Sequence, residues 1–262
     1  MRLHLCLTVL AGAVWASVGV ACATQVEGFE LRQASKTVGE QKVIVTARAL
    51  RCENISTHVV LVSVAPDWKV VVYNPTTKRT HSKAYKDFSG YLQNQMVFFT
   101  GSSYADKPLI AAGSGTFKGF TSHSYTEPNN YRATVMPRYY KKMVVGGEPV
   151  EMIYTELTLP GISKQAESVL ERFYGLAQKG GVPVVFGFTS VAKEKKVVLS
   201  TSAINKVVVD DAVFKIPAGL TLTKNVEEVF LDGKSDDGSE LIDLFGSKAT
   251  GLKDGARPKS GK

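Results

Sequence analysis

The chain has 262 residues, 44% of them hydrophobic, so it can bury a sizeable core and is not a wholly disordered polymer. Its formal net charge is +8, but the lysines lie in short clusters such as Lys141-Lys142 and Lys193-Glu194-Lys195-Lys196, placed at expected turns. That pattern reads as a solvated surface and argues against a nucleic-acid partner. Three cysteines, Cys6, Cys22 and Cys52, exclude a disulfide-rich scaffold.

The N-terminus has the three parts of an export signal. Arg2 supplies the positive charge, residues 5–21 are apolar or small, and Ala21-Cys22-Ala23 forms a small-x-small cleavage site before Thr24. Residues 1–23 are therefore read as a signal peptide, and the mature chain as a periplasmic or extracellular protein. Val20-Ala21-Cys22 also fits the end of a lipoprotein signal, in which Cys22 becomes the acylated residue of an outer-membrane lipoprotein. After conventional cleavage Cys52 stands alone and no internal disulfide can form.

From Val26 onward the pattern is β. Residues 42–50, 57–64 and 68–73 are rich in Val, Ile and Thr, and such runs between turn residues predict antiparallel strands. Ala65-Pro66-Asp67 and Asn74-Pro75-Thr76-Thr77 supply the turn chemistry, so residues 57–84 read as a three-stranded meander. Further strands are predicted over 96–100, 114–125, 131–139 and 148–157, with Gly146-Gly147 as a hairpin tip. Strands over 182–191 and 195–209 flank Ala192-Lys193-Glu194, with Val182, Val184, Phe186 and Phe188 on one face by the period of two. A last strand is expected over 225–231.

One amphipathic helix interrupts the strands. Ile162, Ala166, Val169, Leu170 and Phe173 recur at helical spacing after Pro160-Gly161, with Lys164, Glu167, Glu171 and Arg172 on the other side. A short helix is expected over 85–92. Residues 233–262 are dominated by Gly, Ser, Lys and Asp and read as a flexible polar tail, broken by Leu241-Ile242 and Leu244-Phe245.

The expected architecture is mainly β: a single domain over 24–232, with a curved antiparallel sheet or incomplete barrel wrapped on one main helix. Val59-Val60-Leu61-Val62 and Val70-Val71-Val72-Tyr73 are apolar at successive positions. A sheet wet on one side alternates, so either both faces are covered or one face lines an apolar cavity.

Residues capable of chemistry are present without the spacing that chemistry needs. His58, His81 and His123 lie on separate elements, so neither a metal site nor a cofactor is expected. Asp210-Asp211 and Glu227-Glu228 are neighbours whose side chains diverge on an extended chain. Ser122-His123-Ser124 lacks a nucleophile elbow. Gly113-Ser114-Gly115 and Gly119 sit beside strand-like residues, which suits a turn or bulge rather than a phosphate loop. A non-enzyme is expected.

The run from Val207 to Leu220, VVVDDAVFKIPAGL, resembles the C-terminal part of exported proteins related to the lipoprotein-localisation factors LolA and LolB: a strand ending at an acidic residue, a turn with Phe214, then Pro217-Ala218-Gly219. Ala65-Pro66-Asp67-Trp68 through Asn74 resembles an early hairpin of uncharacterised relatives. The resemblance implies an incomplete antiparallel barrel over an apolar cavity, and non-covalent binding of an acyl chain, lipid or lipidated partner. The expected lining residues are Val62, Val72, Met152, Tyr154, Phe173, Phe186 and Phe188. The alternative is a structural or interaction protein of the cell envelope with a filled barrel, attached to an envelope partner through its tail or a lipidated Cys22.

Overall fold

The computed structural model describes residues 24–36, 38–91, 105, 108–128, 149–190 and 195–230. The export signal, Cys22, the expected strands over 96–100 and 131–139, the Gly146-Gly147 tip and the polar tail lie outside the described residues. The described strands are β1 (Gln25–Ser35), β2 (Gly39–Thr46), β3 (Ala49–Asn54), β4 (Val60–Val64), β5 (Lys69–Asn74), β6 (Arg79–Lys83), β7 (Ile110–Phe117), β8 (Phe120–Thr126), β9 (Pro149–Leu157), β10 (Val182–Ser190), β11 (Lys195–Asp210) and β12 (Thr221–Leu222). They form one twelve-stranded sheet in the order β12-β6-β5-β4-β3-β2-β1-β11-β10-β9-β8-β7. The sheet is open, with β12 and β7 at its edges. Neighbours are antiparallel except β12, which runs parallel to β6.

Local chemistry sets the turns. Asn74 Oδ1 accepts the backbone N–H groups of Thr76 and Thr77 at 2.9 and 3.3 Å, which reverses the chain between β5 and β6. The expected single strand over 42–50 is two strands. Thr46 Oγ1 accepts the N–H groups of Arg48 and Ala49 at 3.2 and 2.9 Å and turns the chain between β2 and β3. The expected strand over 114–125 is likewise a hairpin. Lys118 and Gly119, with φ of 50° and 85°, make the two-residue turn between β7 and β8.

Helix α1 (Lys164–Phe173) starts where Ser163 Oγ accepts the Ala166 N–H at 3.1 Å. Ala166, Val169, Leu170 and Phe173 join the main core, which includes Leu31, Val43, Leu50, Leu61, Val72 and Phe186. Glu167 and Glu171, on the side opposite the apolar stripe, are both buried. Glu167 Oε2 meets Lys164 Nζ at 2.9 Å, and Glu171 is held by the loop that follows the helix. The expected helix over 85–92 is only a 3-10 turn at Tyr85–Asp87.

After β11 the chain folds as a 3-10 turn, Asp211–Phe214, capped by Asp210 Oδ1 on the Ala212 N–H at 2.8 Å. Phe214 closes a second apolar cluster with Ile44, Ala49, Val60, Val62 and Tyr73. The central strands are therefore covered on both faces by the chain itself. Val59 and Leu61 point into the main core, whereas Val60 and Val62 meet Phe214. This strap then pairs with the sheet edge, where the Thr221 and Thr223 N–H groups reach Lys78 O and Thr80 O, each at 2.7 Å. The last strand therefore falls at Thr221–Leu222. Residues 227–230 form a short helix, α2 (Glu227–Phe230), in place of the strand expected over 225–231. Its first-turn carboxylates, Glu227 and Glu228, favour a helix start. Val229 enters the main core, and its carbonyl accepts Asn74 Nδ2 at 3.2 Å.

Candidate ligand-binding groove

A groove of about 710 Å³ opens where β1 and β11 meet the loop leading into α1. Pairing across β1 and β11 sets Glu27 opposite Val208, Gly28 opposite Val207 and Phe29 opposite Lys206, and all six residues line the groove. Ala47, from the turn that Thr46 caps, and Pro160-Gly161-Ile162, just before the helix, complete the lining. Gly28 is dictated by close approach: a Cβ there would lie 2.4 Å from Val45 O. Phe29 is buried and takes Phe120 edge-on at 5.5 Å, so one side of the groove is anchored in the core. Val208 is 59% exposed, a β-branched side chain left facing the open space. The surface is apolar through Phe29, Pro160, Ile162, Val207 and Val208, with Glu27 and Lys206 as its two charges. The groove is half open to solvent and its lining is polar and apolar in comparable measure, while its volume lies in the range of small-molecule sites.

The expected lining residues lie elsewhere. Val72, Met152, Tyr154, Phe173, Phe186 and Phe188 are buried in the main core, and Val62 is buried in the outer cluster. None of the seven contributes to the groove. Val207 and Val208 stand at the start of the segment VVVDDAVF, where three successive valines gave no period from which an exposed position could be told.

Two buried polar networks flank α1. In the first, Tyr174 Oη lies 2.8 Å from both Gln33 Oε1 and Gln41 Oε1, and Cys52 Sγ donates to Gln41 Oε1 at 2.8 Å. Gln33 Nε2 donates to Pro183 O at 2.7 Å and to Thr201 Oγ1 at 3.0 Å, so the set ties β1, β2, β3, β10 and β11 to the segment after the helix. Burial pushes the Cys52 thiol and the Tyr174 phenol well above their ordinary pKa values. Cys52 is thus a structural donor: burial outweighs the nearby Arg51 charge and keeps the thiol protonated.

The second network gathers Tyr125, Tyr154, Glu156 and Glu171. Tyr125 donates to Glu156 Oε1 at 2.9 Å. Tyr154 Oη lies 3.4 Å from Glu156 Oε2 and 3.3 Å from Glu171 Oε1, and its single proton serves one carboxylate at a time. Burial raises the Glu171 pKa to about 7, against the opposing pull of the Lys179 and Gly180 N–H groups. Burial also raises Glu156, opposed by its tyrosine donors, and Glu167, opposed by Lys164. Sequence reading placed Glu171 on the side of the helix opposite its apolar stripe and missed this network. The one available signal was Gly180-Gly181 shortly after the helix, whose backbone can approach a carboxylate closely.

Ser114 Oγ lies 3.0 Å from His123 Nδ1, across the β7–β8 hairpin. His123 is paired in register with Glu156 on β9. The Ser114–His123 pair is exposed and lies on two adjacent strands of the sheet. Among the described residues no group of three or more His, Cys, Asp or Glu side chains is placed to hold a metal ion, and no helix is long and apolar enough to cross a membrane.

No family of known sequences matches the chain, and no curated protein does. Among solved structures, it is similar to an uncharacterised conserved protein from Thermus thermophilus, at 10% identity and a TM-score of 0.38, over 77% of this chain and 91% of that one. It is similar to lipoprotein LppX from Mycobacterium tuberculosis at 14% identity and a TM-score of 0.27, over 72% and 91% of the two chains. A LolA superfamily protein from Nitrosomonas europaea is also among the neighbours, at 11% identity and a TM-score of 0.23, over 74% of this chain and 90% of that one.

Proposed function

We propose that this chain is an exported, non-catalytic binding protein that shelters an apolar chain in the groove between β1, β11 and the loop before α1. Acyl chains and lipids are the ligand class. The observation that carries the reading is Val208. It is an apolar side chain, 59% exposed, that shares a ligand-sized concavity with Phe29 and Ile162. Removing an acyl chain from water is worth about 0.8 kcal/mol per CH₂, so even partial burial along this wall gives useful affinity. Lys206 stands in the same groove and can meet an anionic head group. Export rests on Arg2, the apolar run over 5–21 and the small residues before Thr24.

The test is titration of residues 24–262 with a fluorescent long-chain fatty acid, alongside Val208→Asp and a control, Ser202→Asp, on an exposed position of the same strand. The expected result is saturable one-to-one binding, lost in Val208→Asp and kept in the control. Absence of binding, or binding indifferent to Val208→Asp, rejects the reading.

A second reading is a filled structural protein of the cell envelope. The double cover of β2–β5 favours it, because the apolar strands are already occupied by the chain's own side chains. Binding in the titration separates the two.

A further inference from the structure

The two edges of the sheet are built differently. β12 is two residues long, whereas β7 is eight residues long and, among the described strands, pairs on one side only, with β8. The sequence of β7, Ile110-Ala111-Ala112-Gly113-Ser114-Gly115-Thr116-Phe117, has no charge and no proline, and all but Phe117 are exposed. Edge strands carry unpaired N–H and C=O groups that only another extended backbone can satisfy in full, and natural sheets shield them with charges, prolines or bulges. The one such device on β7 is the irregularity between Ala111 and Gly113, which leaves Gly113–Phe117 as a regular run.

We infer that two copies of this chain join their sheets by antiparallel pairing of β7 with β7 about a two-fold axis through Gly115. The run is complementary to itself in that register. Gly115 meets Gly115 on the axis, so no side chains collide there. Ser114 of each copy stands opposite Thr116 of the other, a hydroxyl pair of the kind that stabilises cross-strand neighbours. Phe117 of each copy, packed in part against its own core, stands opposite Gly113 of the other, where no side chain crowds it. No charged residue opposes another within the pairing. Lys118 lies just outside it, with its Nζ 5.8 Å from the centroid of its own Phe117 ring. The same patch closes on itself, so the assembly stops at a dimer.

The experiment is sedimentation velocity of residues 24–262 over a concentration series, beside Gly115→Lys and Gly115→Glu. A Cβ at Gly115 has room, its nearest neighbour being Ser122 Oγ at 3.8 Å, so both variants keep the fold, checked by circular dichroism. The expected result is a dimer that each variant weakens about tenfold or more, because like charges then face each other on the axis, and an equimolar mixture that dimerises again. Amide exchange across Gly113–Phe117 is expected to slow as concentration rises. A parent chain that stays monomeric, a dimer unmoved by either variant, or β7 amides protected equally at every concentration because another segment of the chain covers the edge would each overturn the inference.

Discussion

Glu171 Oε1 accepts the backbone N–H of Lys179 at 2.6 Å, so the helix is latched to the loop that leaves it by a carboxylate with no exposure to water. Among the described residues its second oxygen has no hydrogen-bond partner. That arrangement favours the protonated acid in the folded state, with a pKa near 7 against an ordinary value of 4.5. The native chain then binds more protons than the unfolded chain between those values, so stability falls as pH rises. The contribution is fully present below about pH 4.5 and is spent above about pH 7. Glu156 and Glu167, also raised, push in the same direction. Urea unfolding at a series of pH values is expected to show this decline, bounded at roughly 3 kcal/mol for Glu171. Glu171→Gln is expected to flatten it. A stability that rises over the same interval would contradict the assignment.

Phe214 holds the strap that crosses the outer face of β2–β5. Its ring joins the cluster of Val60, Val62 and Ile44, with Val213 and Leu220 of the same strap packed against it. Phe214→Ala is expected to cost about 3–5 kcal/mol, the usual range for a buried phenylalanine. Because the strap ends in β12 and α2, its release also frees the β6 edge and withdraws Val229 from the core. Thermal unfolding of the variant, with a dye that binds exposed apolar surface, checks both effects. A loss below about 1 kcal/mol would show that the strap is a passenger.

The strap also shows what was legible beforehand and what was not. The meander, β10, β11 and the helix followed from periodicity and turn residues, because each is stabilised by contacts its own pattern announces. Successive apolar residues such as Val59-Val60-Leu61-Val62 announced only that both faces are dry. Whether a ligand or a distant segment covers the second face is a tertiary fact, and here the cover is Phe214, about 150 positions away. The burial of Glu167 and Glu171 was hidden for a related reason. Helical spacing sorts residues by side and cannot reveal that the following loop folds back over the polar side. The groove was the least legible feature, since it arises where Gly28, Ala47 and Ile162 leave a space between elements rather than from any residue pattern.

Cys52 gives the last prediction. In residues 24–262 it is the single thiol, and it is buried against Gln41, with Tyr174 completing the cluster. Burial disfavours the thiolate, the reactive form, and leaves Cys52 2% exposed. The folded chain is therefore expected to resist a maleimide reagent at pH 8 and to react fully once unfolded in urea. The reaction rate under native conditions then reports opening of the Gln33–Gln41–Tyr174 network. Tyr174→Phe removes the phenol whose single proton serves Gln33 Oε1 or Gln41 Oε1; Gln41 Oε1 keeps the Cys52 thiol as a donor, so Gln33 Oε1 is the oxygen left short, which costs about 1–3 kcal/mol. In that variant native labelling is expected to speed up by about tenfold or more, as the opening equilibrium shifts by that free energy. Unchanged labelling in Tyr174→Phe, or prompt labelling of the parent chain, would show that the network does not guard the thiol.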